Sequence, residues 1–169
     1  MQRRIGDQII FTGNGSYAID PKGRVSIPAD YRRDMGEDGC MITCGTRKCL
    51  RIYPMVSYRN VVLRLMEISD NFNGDIMLDP HFRRIVETFT SEAVEGKIDD
   101  HGRMLIPLAL RERIGVDKQT YIRGCGNVFE IWAEEEWKEN ALTKPEDFEA
   151  SAHHVAKLFK ERKEGAFHE

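Results

Sequence analysis

Apolar residues follow two kinds of spacing along this chain, one typical of strands and one typical of helices. Short runs typical of β-strands lie at 16–19, 40–43, 50–53, 120–123 and 128–132. Helical spacing, with apolar residues three and four positions apart, is found instead at 58–66 and 78–89. The polar stretch 71–75 separates these two segments, and a sparser helical stripe lies at 155–159. The pattern predicts an α+β protein with an αα-hairpin inserted between two β-rich parts and a C-terminal helix.

The two β-rich parts are copies of one segment, offset by 79 positions without a gap. Residues 19–28 and 98–107 share the pattern Ile-Asp-x-x-Gly-Arg-x-x-Ile-Pro, and Arg32 then aligns with Arg111. The register continues through paired glycines and aromatic residues as far as Trp137. A segment repeated at a fixed offset is one folding unit used twice, and two copies are too few for a solenoid. We therefore expect a pseudo-two-fold pair in which each copy completes the core of the other.

Each copy contains a tight turn and a short helix. The turn is predicted to depend on an aspartate that accepts hydrogen bonds from turn amides and on a left-handed glycine. The predicted turn-structuring residues are Asp20, Gly23, Asp99 and Gly102. Proline at the first helical position and glycine just past the helix end predict helices at 29–35 and 108–114. The residues concerned are Pro28, Gly36, Pro107 and Gly115.

These elements give four segments. We assign the first repeat to residues 14–61, the helical insert to 62–92, the second repeat to 93–136 and an acidic helical tail to 137–169.

The charge of the chain is unevenly distributed. The formal net charge is −3, but residues 1–53 carry nine Lys/Arg against six Asp/Glu, and residues 133–169 carry six against ten. Binding to nucleic acid depends on a local positive patch, so the value for the whole chain does not exclude it. Apolar runs are too short for a membrane span and no signal peptide precedes the first repeat, which predicts a cytoplasmic protein without a membrane partner.

The sequence offers little that indicates catalysis. No histidine stands in a recognisable arrangement with a serine or cysteine, and His153 and His154 lack the spacing of a zinc-binding helix. The cysteines, at 40, 44, 49 and 125, do not match structural zinc spacings and are expected to be buried, reduced thiols. We therefore expect no enzyme, no metal, no cofactor and no small-molecule substrate.

The turn motif instead presents an arginine at the end of a rigid loop, once in each repeat. Arginine suits bidentate contacts with phosphate or with guanine O6 and N7, and Lys22 adds a second donor beside Arg24. A structural role remains open, in which each arginine pairs with the aspartate four positions before it and holds the turn.

At these motifs the chain resembles the MraZ family, which is built from two AbrB/SpoVT-like swapped-hairpin repeats. The family's paired Asp-x-x-x-Arg motif stands here at 20–24 and 99–103, and its Gly-x-x-Asn-x-Phe-Glu-Ile-Trp segment at 124–132. The resemblance covers about residues 11–140, including the helical insert. The second motif departs from the first, because Asp100 and His101 replace Pro21 and Lys22.

The resemblance implies a bacterial DNA-binding transcriptional regulator of the division and cell-wall gene cluster. It implies binding to tandem direct repeats in double-stranded DNA of its own promoter, a homo-oligomeric ring and a nucleoid-associated location. The candidate DNA-binding residues are Lys22, Gly23, Arg24, Arg103, Arg3 and Arg4. We expect Arg24 to contact a guanine, and Lys22, Arg3 and Arg4 to hold phosphates.

Two other functions are compatible with the same residues. One is a protein–protein module of the same fold, antitoxin-like or an assembly adaptor, that has lost DNA binding. The other is a metal-dependent enzyme that uses Asp20 and Asp99 or the cysteines.

Overall fold

The computed structural model describes residues 4–5, 8–36, 38–45, 47–72, 74–141 and 143–165. Its strands are β1 (Arg4–Ile5), β2 (Gln8–Ile9), β3 (Asn14–Ala18), β4 (Arg24–Ser26), β5 (Cys40–Cys44), β6 (Cys49–Pro54), β7 (Val94–Gly96), β8 (Arg103–Leu105), β9 (Gln119–Cys125) and β10 (Val128–Ala133). Its α-helices are α1 (Ala29–Met35), α2 (Met55–Asn71), α3 (Pro80–Thr90), α4 (Leu108–Ile114), α5 (Glu134–Glu136) and α6 (Pro145–Gly165). The mixture of a largely antiparallel sheet with helices confirms the α+β class.

The largest sheet is symmetric with respect to the two repeats. Its six strands run in the order β3-β9-β10-β6-β5-β7, and the pairings are antiparallel. Under the offset of 79 positions, β6 is equivalent to β10, β5 to β9 and β3 to β7. Equivalent strands therefore occupy the same positions when the order is followed from either edge of the sheet. The first strand of each repeat therefore pairs with the hairpin of the other repeat.

A second sheet joins the repeats directly. Strands β4 and β8 form an antiparallel two-stranded sheet in which Val25 lies opposite Met104. Outside the strands, the Ile27 amide donates to the Gly102 carbonyl at 3.0 Å and the Ile106 amide to the Gly23 carbonyl at 2.8 Å. Val25 and Met104 are equivalent positions of the repeat, so the pseudo-two-fold axis passes between them. We call the paired strands β4 and β8 the central ribbon.

The core lies between the large sheet, the central ribbon and the two short helices. Its largest fully buried side chains include Trp132, Phe11 and Phe129. Phe11, Tyr31 and Phe129 form an aromatic cluster with ring centroids 5.0 to 5.3 Å apart. Because α1 supplies Tyr31 and β10 supplies Phe129, both repeats contribute to this one cluster.

The short helices agree with the sequence prediction at both ends, with one correction. Helices α1 and α4 span 29–35 and 108–114, and Gly36 and Gly115 follow them with positive φ angles of 75° and 73°. Pro28 and Pro107 were expected at the first helical position, but both are N-cap residues with ψ near 140°. A proline here leaves no amide to satisfy and also favours the extended conformation of an N-cap.

The insert is an αα-hairpin, as predicted. Helix α2 follows β6 directly, and a 3₁₀ turn over Asp75–Leu78 connects it to α3. The Asp79 carboxylate caps α3 by accepting hydrogen bonds from the His81 amide at 2.8 Å and the Phe82 amide at 3.0 Å. Capping fixes the start of α3, whose buried residue Val86 faces the rest of the unit.

The chain divides into two units at Glu136, and the second unit begins at Trp137. The second unit contains a π-helical turn over Trp137–Ala141 and the helix α6, on which Val155, Leu158 and Phe159 are exposed. Among the described residues, no helix combines the length and apolar character that crossing a membrane requires.

Candidate nucleic-acid interface

The central ribbon has one buried face and one open face. Val25 and Met104 are fully buried in the core. Side chains alternate along a strand, so the neighbouring residues point away from the core. The open face consists of Arg24 opposite Leu105 and Ser26 opposite Arg103. The two motif arginines, 79 positions apart in sequence, therefore lie diagonally on one face.

In the first turn, one aspartate organises both backbone and arginine. Oδ1 of Asp20 accepts hydrogen bonds from the amides of Lys22 at 3.0 Å and Arg24 at 2.9 Å. Oδ2 of Asp20 accepts from Nε of Arg24 at 2.7 Å. The turn closes with the Gly23 amide donating to the Asp20 carbonyl at 2.8 Å, and φ of Gly23 is 85°. Nε carries this side-chain bond, the Arg24 side chain is 30% exposed, and within the described residues its two terminal nitrogens make no hydrogen bond.

The second turn has the same geometry, but its arginine donates more hydrogen bonds to the aspartate. Oδ1 of Asp99 accepts from the amides of His101 at 3.0 Å and Arg103 at 2.9 Å. Oδ2 of Asp99 accepts from both Nε and Nη2 of Arg103, at 3.0 and 2.8 Å. The Nη1 atom of Arg103 also lies 3.9 Å from Oδ2 of Asp20 in the other repeat. Arg103 is therefore held by carboxylates on two sides, whereas Arg24 is held at one nitrogen.

Both aspartates remain ionised over the ordinary pH range. The backbone amide of Arg24, which outweighs burial, lowers the pKa of the Asp20 carboxyl. The side chain of Arg103 is the largest cause that lowers the pKa of Asp99, to about 2. Because hydrogen bonds to the charged form favour it, each turn keeps its bonding pattern near neutral pH.

Each turn also rests on an arginine from the helix of the other repeat. A Cβ on Gly23 would lie 2.8 Å from Cζ of Arg111, and a Cβ on Gly102 would lie 2.6 Å from Cζ of Arg32. Nη1 of Arg32 donates to the Ile27 carbonyl at 2.8 Å, and Nε of Arg111 donates to the Ile106 carbonyl at 3.1 Å. Glycine is therefore required in these turns for space as well as for conformation.

The structure places Arg24 and Arg103 on the open face and Lys22 next to Arg24, while the binding of DNA by these residues stays a prediction. Lys22 and His101 are exposed beside Arg24 and Arg103. Arg4 lies in β1, and Arg3 lies outside the described residues. The supporting roles of Arg32 and Arg111 were missed, although their shared offset of 79 positions was a signal for them.

The described residues also bear on the metal and cysteine alternatives. No group of three or more His, Cys, Asp or Glu side chains is placed to hold a metal ion in the described part of the chain. The cysteines are free, and burial raises the pKa of the Cys40 and Cys49 thiols to about 12. The expectation that all are buried is wrong, because Cys44 is half-buried and Cys125 is exposed. Cys125 is exposed because it precedes the tip of the β9–β10 hairpin.

Comparison with known proteins identifies the family. A family model described as "MraZ protein, putative antitoxin-like" matches residues 10–74 and 89–159. The chain belongs to the MraZ family. The two matched segments cover the two repeats, which fits the internal symmetry of the structure.

Several curated relatives carry the name "Transcriptional regulator MraZ". The protein of Thermoanaerobacter sp. (strain X514) is 33% identical over 146 residues, which are 86% of this chain and 96% of the relative. The protein of Pseudoalteromonas atlantica is 34% identical, over 77% of this chain and 84% of the relative. The protein of Pelotomaculum thermopropionicum is 36% identical, over 76% of this chain and 83% of the relative.

Replacing Gly102 with alanine should destabilise the protein more than a matched change at Gly115. Both glycines have positive φ, 75° and 73°, so both substitutions introduce strain of about 1–2 kcal/mol. A Cβ at Gly115 meets nothing within 4 Å, whereas a Cβ at Gly102 displaces Arg32 from the Ile27 carbonyl. We expect Gly102→Ala to lower the free energy of unfolding by about 1 kcal/mol more than Gly115→Ala. Urea denaturation followed by circular dichroism measures this difference, and equal reductions would contradict the close approach of Arg32.

Replacing Asp99 with asparagine should reduce stability in a pH-dependent way. The folded pKa of Asp99, about 2, lies below the ordinary aspartate value of 3.8. Its ionised form thus stabilises the folded protein above about pH 4, and this contribution is lost as the pH falls through about 2. We expect the difference in Tm between wild type and Asp99→Asn to be constant from pH 5 to 7 and to shrink below pH 4. A difference that stays constant down to pH 2 would contradict the role of this carboxylate.

Proposed function

We propose that this protein is a transcriptional regulator that binds double-stranded DNA through the open face of the central ribbon and its two turns. The observation that carries the proposal is the placement of Arg24 and Arg103 on one open face, with Lys22 exposed at its edge. The name shared by the relatives, "Transcriptional regulator MraZ", supports the same conclusion. We also propose that the two repeats are AbrB/SpoVT-like swapped hairpins with the boundaries given above, because each exchanges its first strand with the other.

The dimensions of the ribbon suit the major groove of DNA. A groove about 12 Å wide admits a two-stranded β-ribbon. In such a pose, the terminal nitrogens of Arg24 reach base edges, where a guanidinium donates two parallel hydrogen bonds to O6 and N7 of guanine. Lys22 lies two residues from Arg24 at the rim and is assigned to a phosphate, as are Arg3 and Arg4.

The two arginines are assigned unequal roles. Arg103 donates twice to Asp99 and lies near Asp20, so a contact with a base has to compete with two carboxylates. Asp100, which is exposed beside it, adds repulsion toward phosphates. We propose that Arg24 reads sequence and that Arg103 makes a smaller contribution to binding.

A single ribbon presents few charges, so high affinity requires several copies. We propose a homo-oligomeric ring that binds tandem direct repeats in its own promoter, upstream of the division and cell-wall gene cluster. When several ribbons engage evenly spaced sites, each further contact is intramolecular and gains from effective concentration. The resemblance of the motifs at 20–24 and 99–103 to the MraZ family supports this assignment, together with a nucleoid-associated location in the cytoplasm.

Arg24→Ala should abolish specific binding to the promoter DNA, whereas Arg103→Ala should weaken it much less. Removal of one bidentate hydrogen-bonded pair with a base costs about 1–3 kcal/mol for each protomer, and this cost is repeated in each bound copy. A gel shift with the chain's own upstream region measures both variants, with circular dichroism as the test of folding. Equal reductions of affinity in two folded variants would contradict the unequal assignment.

Lys22→Ala is the matched control for an interaction with phosphate. We expect it to weaken specific and non-specific DNA binding about equally and to reduce the slope of log K against log salt concentration by about 1 for each phosphate that is no longer bound. Arg24→Lys retains the charge but not the planar fork, so it should keep this slope and lose sequence preference. A complex whose affinity does not depend on salt would favour the protein–protein module instead.

Full-length protein should be oligomeric at micromolar concentration. Large apolar residues of the insert are exposed, with exposed fractions of 59% for Leu63, 56% for Phe72 and 83% for Leu78. Such surfaces are typical of contacts between subunits. Light scattering coupled to size exclusion measures the mass, and a monomer would contradict both the ring and the use of tandem sites.

A further inference from the structure

An ion pair between a half-buried arginine and a buried glutamate lies on the pseudo-two-fold axis of the large sheet. Glu130 in β10 lies directly opposite Arg51 in β6, and the offset of 79 positions makes them equivalent residues of the two repeats. The neighbouring pairs, Phe129 opposite Ile52 and Ile131 opposite Leu50, exchange with each other under the same offset. The axis therefore passes between Arg51 and Glu130, which we call the axis pair.

A position on a two-fold axis faces its own equivalent, so identical residues there would face each other. Nε of Arg51 donates to Oε1 of Glu130 at 3.1 Å, and the Glu130 side chain is only 2% exposed. Oε2 of Glu130 also accepts from Nη2 of Arg123 at 2.6 Å and from Nε1 of Trp132 at 3.1 Å. The glutamate is thus satisfied by groups from both repeats.

The charges at this site differ between the repeats, and the difference favours pairing of repeat 1 with repeat 2 over pairing of two copies of the same repeat. Repeat 2 supplies Glu130 and Arg123, whereas the equivalent positions of repeat 1 hold Arg51 and Cys44. If repeat 1 paired with repeat 1 of a second chain, two Arg51 side chains would face each other and these positions would provide no carboxylate. Like charges directly opposite on adjacent strands destabilise a sheet, and more so where they are buried.

We propose that the axis pair determines which repeats associate, by selecting repeat 2 as the partner of repeat 1 and excluding the same repeat of a second chain. The axis position in the central ribbon does not supply this discrimination through charge, since the apolar residues Val25 and Met104 lie there. The inference does not depend on DNA binding, because the axis pair lies in the large sheet and not on the ribbon.

Charge reversals in two full-length chains test this proposal. Arg51→Glu places two carboxylates on the axis, and Glu130→Arg places two arginines there beside Arg123. Each variant alone should lower the Tm by about 10 °C or more, or prevent refolding. Mixed in denaturant and refolded together, the two chains can regain an Arg–Glu axis only by exchanging repeats. We expect recovery of folded protein and species that contain the two chains in a 1:1 ratio by native mass spectrometry.

A matched control uses an exposed ion pair of the insert. Nε of Arg83 lies 2.9 Å from Oε1 of Glu87, and both side chains are about half exposed or more. Arg83→Glu and Glu87→Arg should each fold normally, and their mixture should combine at random within any oligomer. The proposal would be overturned if the two axis variants also combined at random within oligomers. It would equally be overturned if mixing them gave no more folded protein than each variant gives alone.

A single chain that carries both reversals keeps the inference testable if one variant does not fold alone. Arg51→Glu combined with Glu130→Arg restores opposite charges within one molecule, so its Tm should exceed that of either single variant by at least about 5 °C. A double variant no more stable than the worse single variant would show that opposite charge on the axis does not govern pairing.

Discussion

Exchange of strands between the two repeats is the constraint on which the rest of this structure depends. Strand β3 of repeat 1 pairs with β9 of repeat 2, and β7 of repeat 2 pairs with β5 of repeat 1, so neither repeat closes its own sheet. The same exchange pairs β4 with β8 and brings together two turns that are far apart in sequence. Stability and the candidate interface therefore come from one arrangement, because separation of the repeats would remove both.

The aspartate–arginine pairs are compatible with a structural and a binding role together. In each turn one oxygen of the aspartate holds amides and the other orients the arginine, which fixes the direction of the guanidinium before any ligand arrives. A side chain already held in place loses less conformational entropy on binding. The sequence raised two alternative roles for the motif arginine, holding the turn and binding DNA. In Arg24 the two roles are compatible, because Nε holds the turn and the two terminal nitrogens are left for the proposed contact with DNA.

Local features were predictable from the residue pattern, whereas the exchange of strands between the repeats was expected only from the resemblance to the MraZ family, and the residue pattern did not specify which strands pair. Helices α1 and α4 lie where they were predicted, because glycines mark their ends and prolines their starts, and the β5–β6 and β9–β10 strands were placed to within two residues. The turn between β3 and β4 was predicted correctly. These two strands belong to different sheets, however, and an isolated β-bridge between Ile19 and Val25 stands in place of a strand ladder between them. An apolar pattern specifies which face of a strand is buried but not its partner, so the placement of Arg103 beside Arg24 required the structure.

Fusion of the two repeats in one chain allows the symmetric scaffold to carry an asymmetric surface. In a homodimer of identical repeats, the axis would hold two like residues and both turns would carry the same side chains. Here Arg51 faces Glu130 inside the sheet, and Lys22 stands where the other turn has His101. A DNA-binding protein with two-fold symmetry matches a palindromic DNA site, because the symmetry of the site mirrors that of the protein. A ribbon with one basic and one partly acidic turn has a direction, which supports the proposal that this protein binds direct repeats of a site rather than inverted ones.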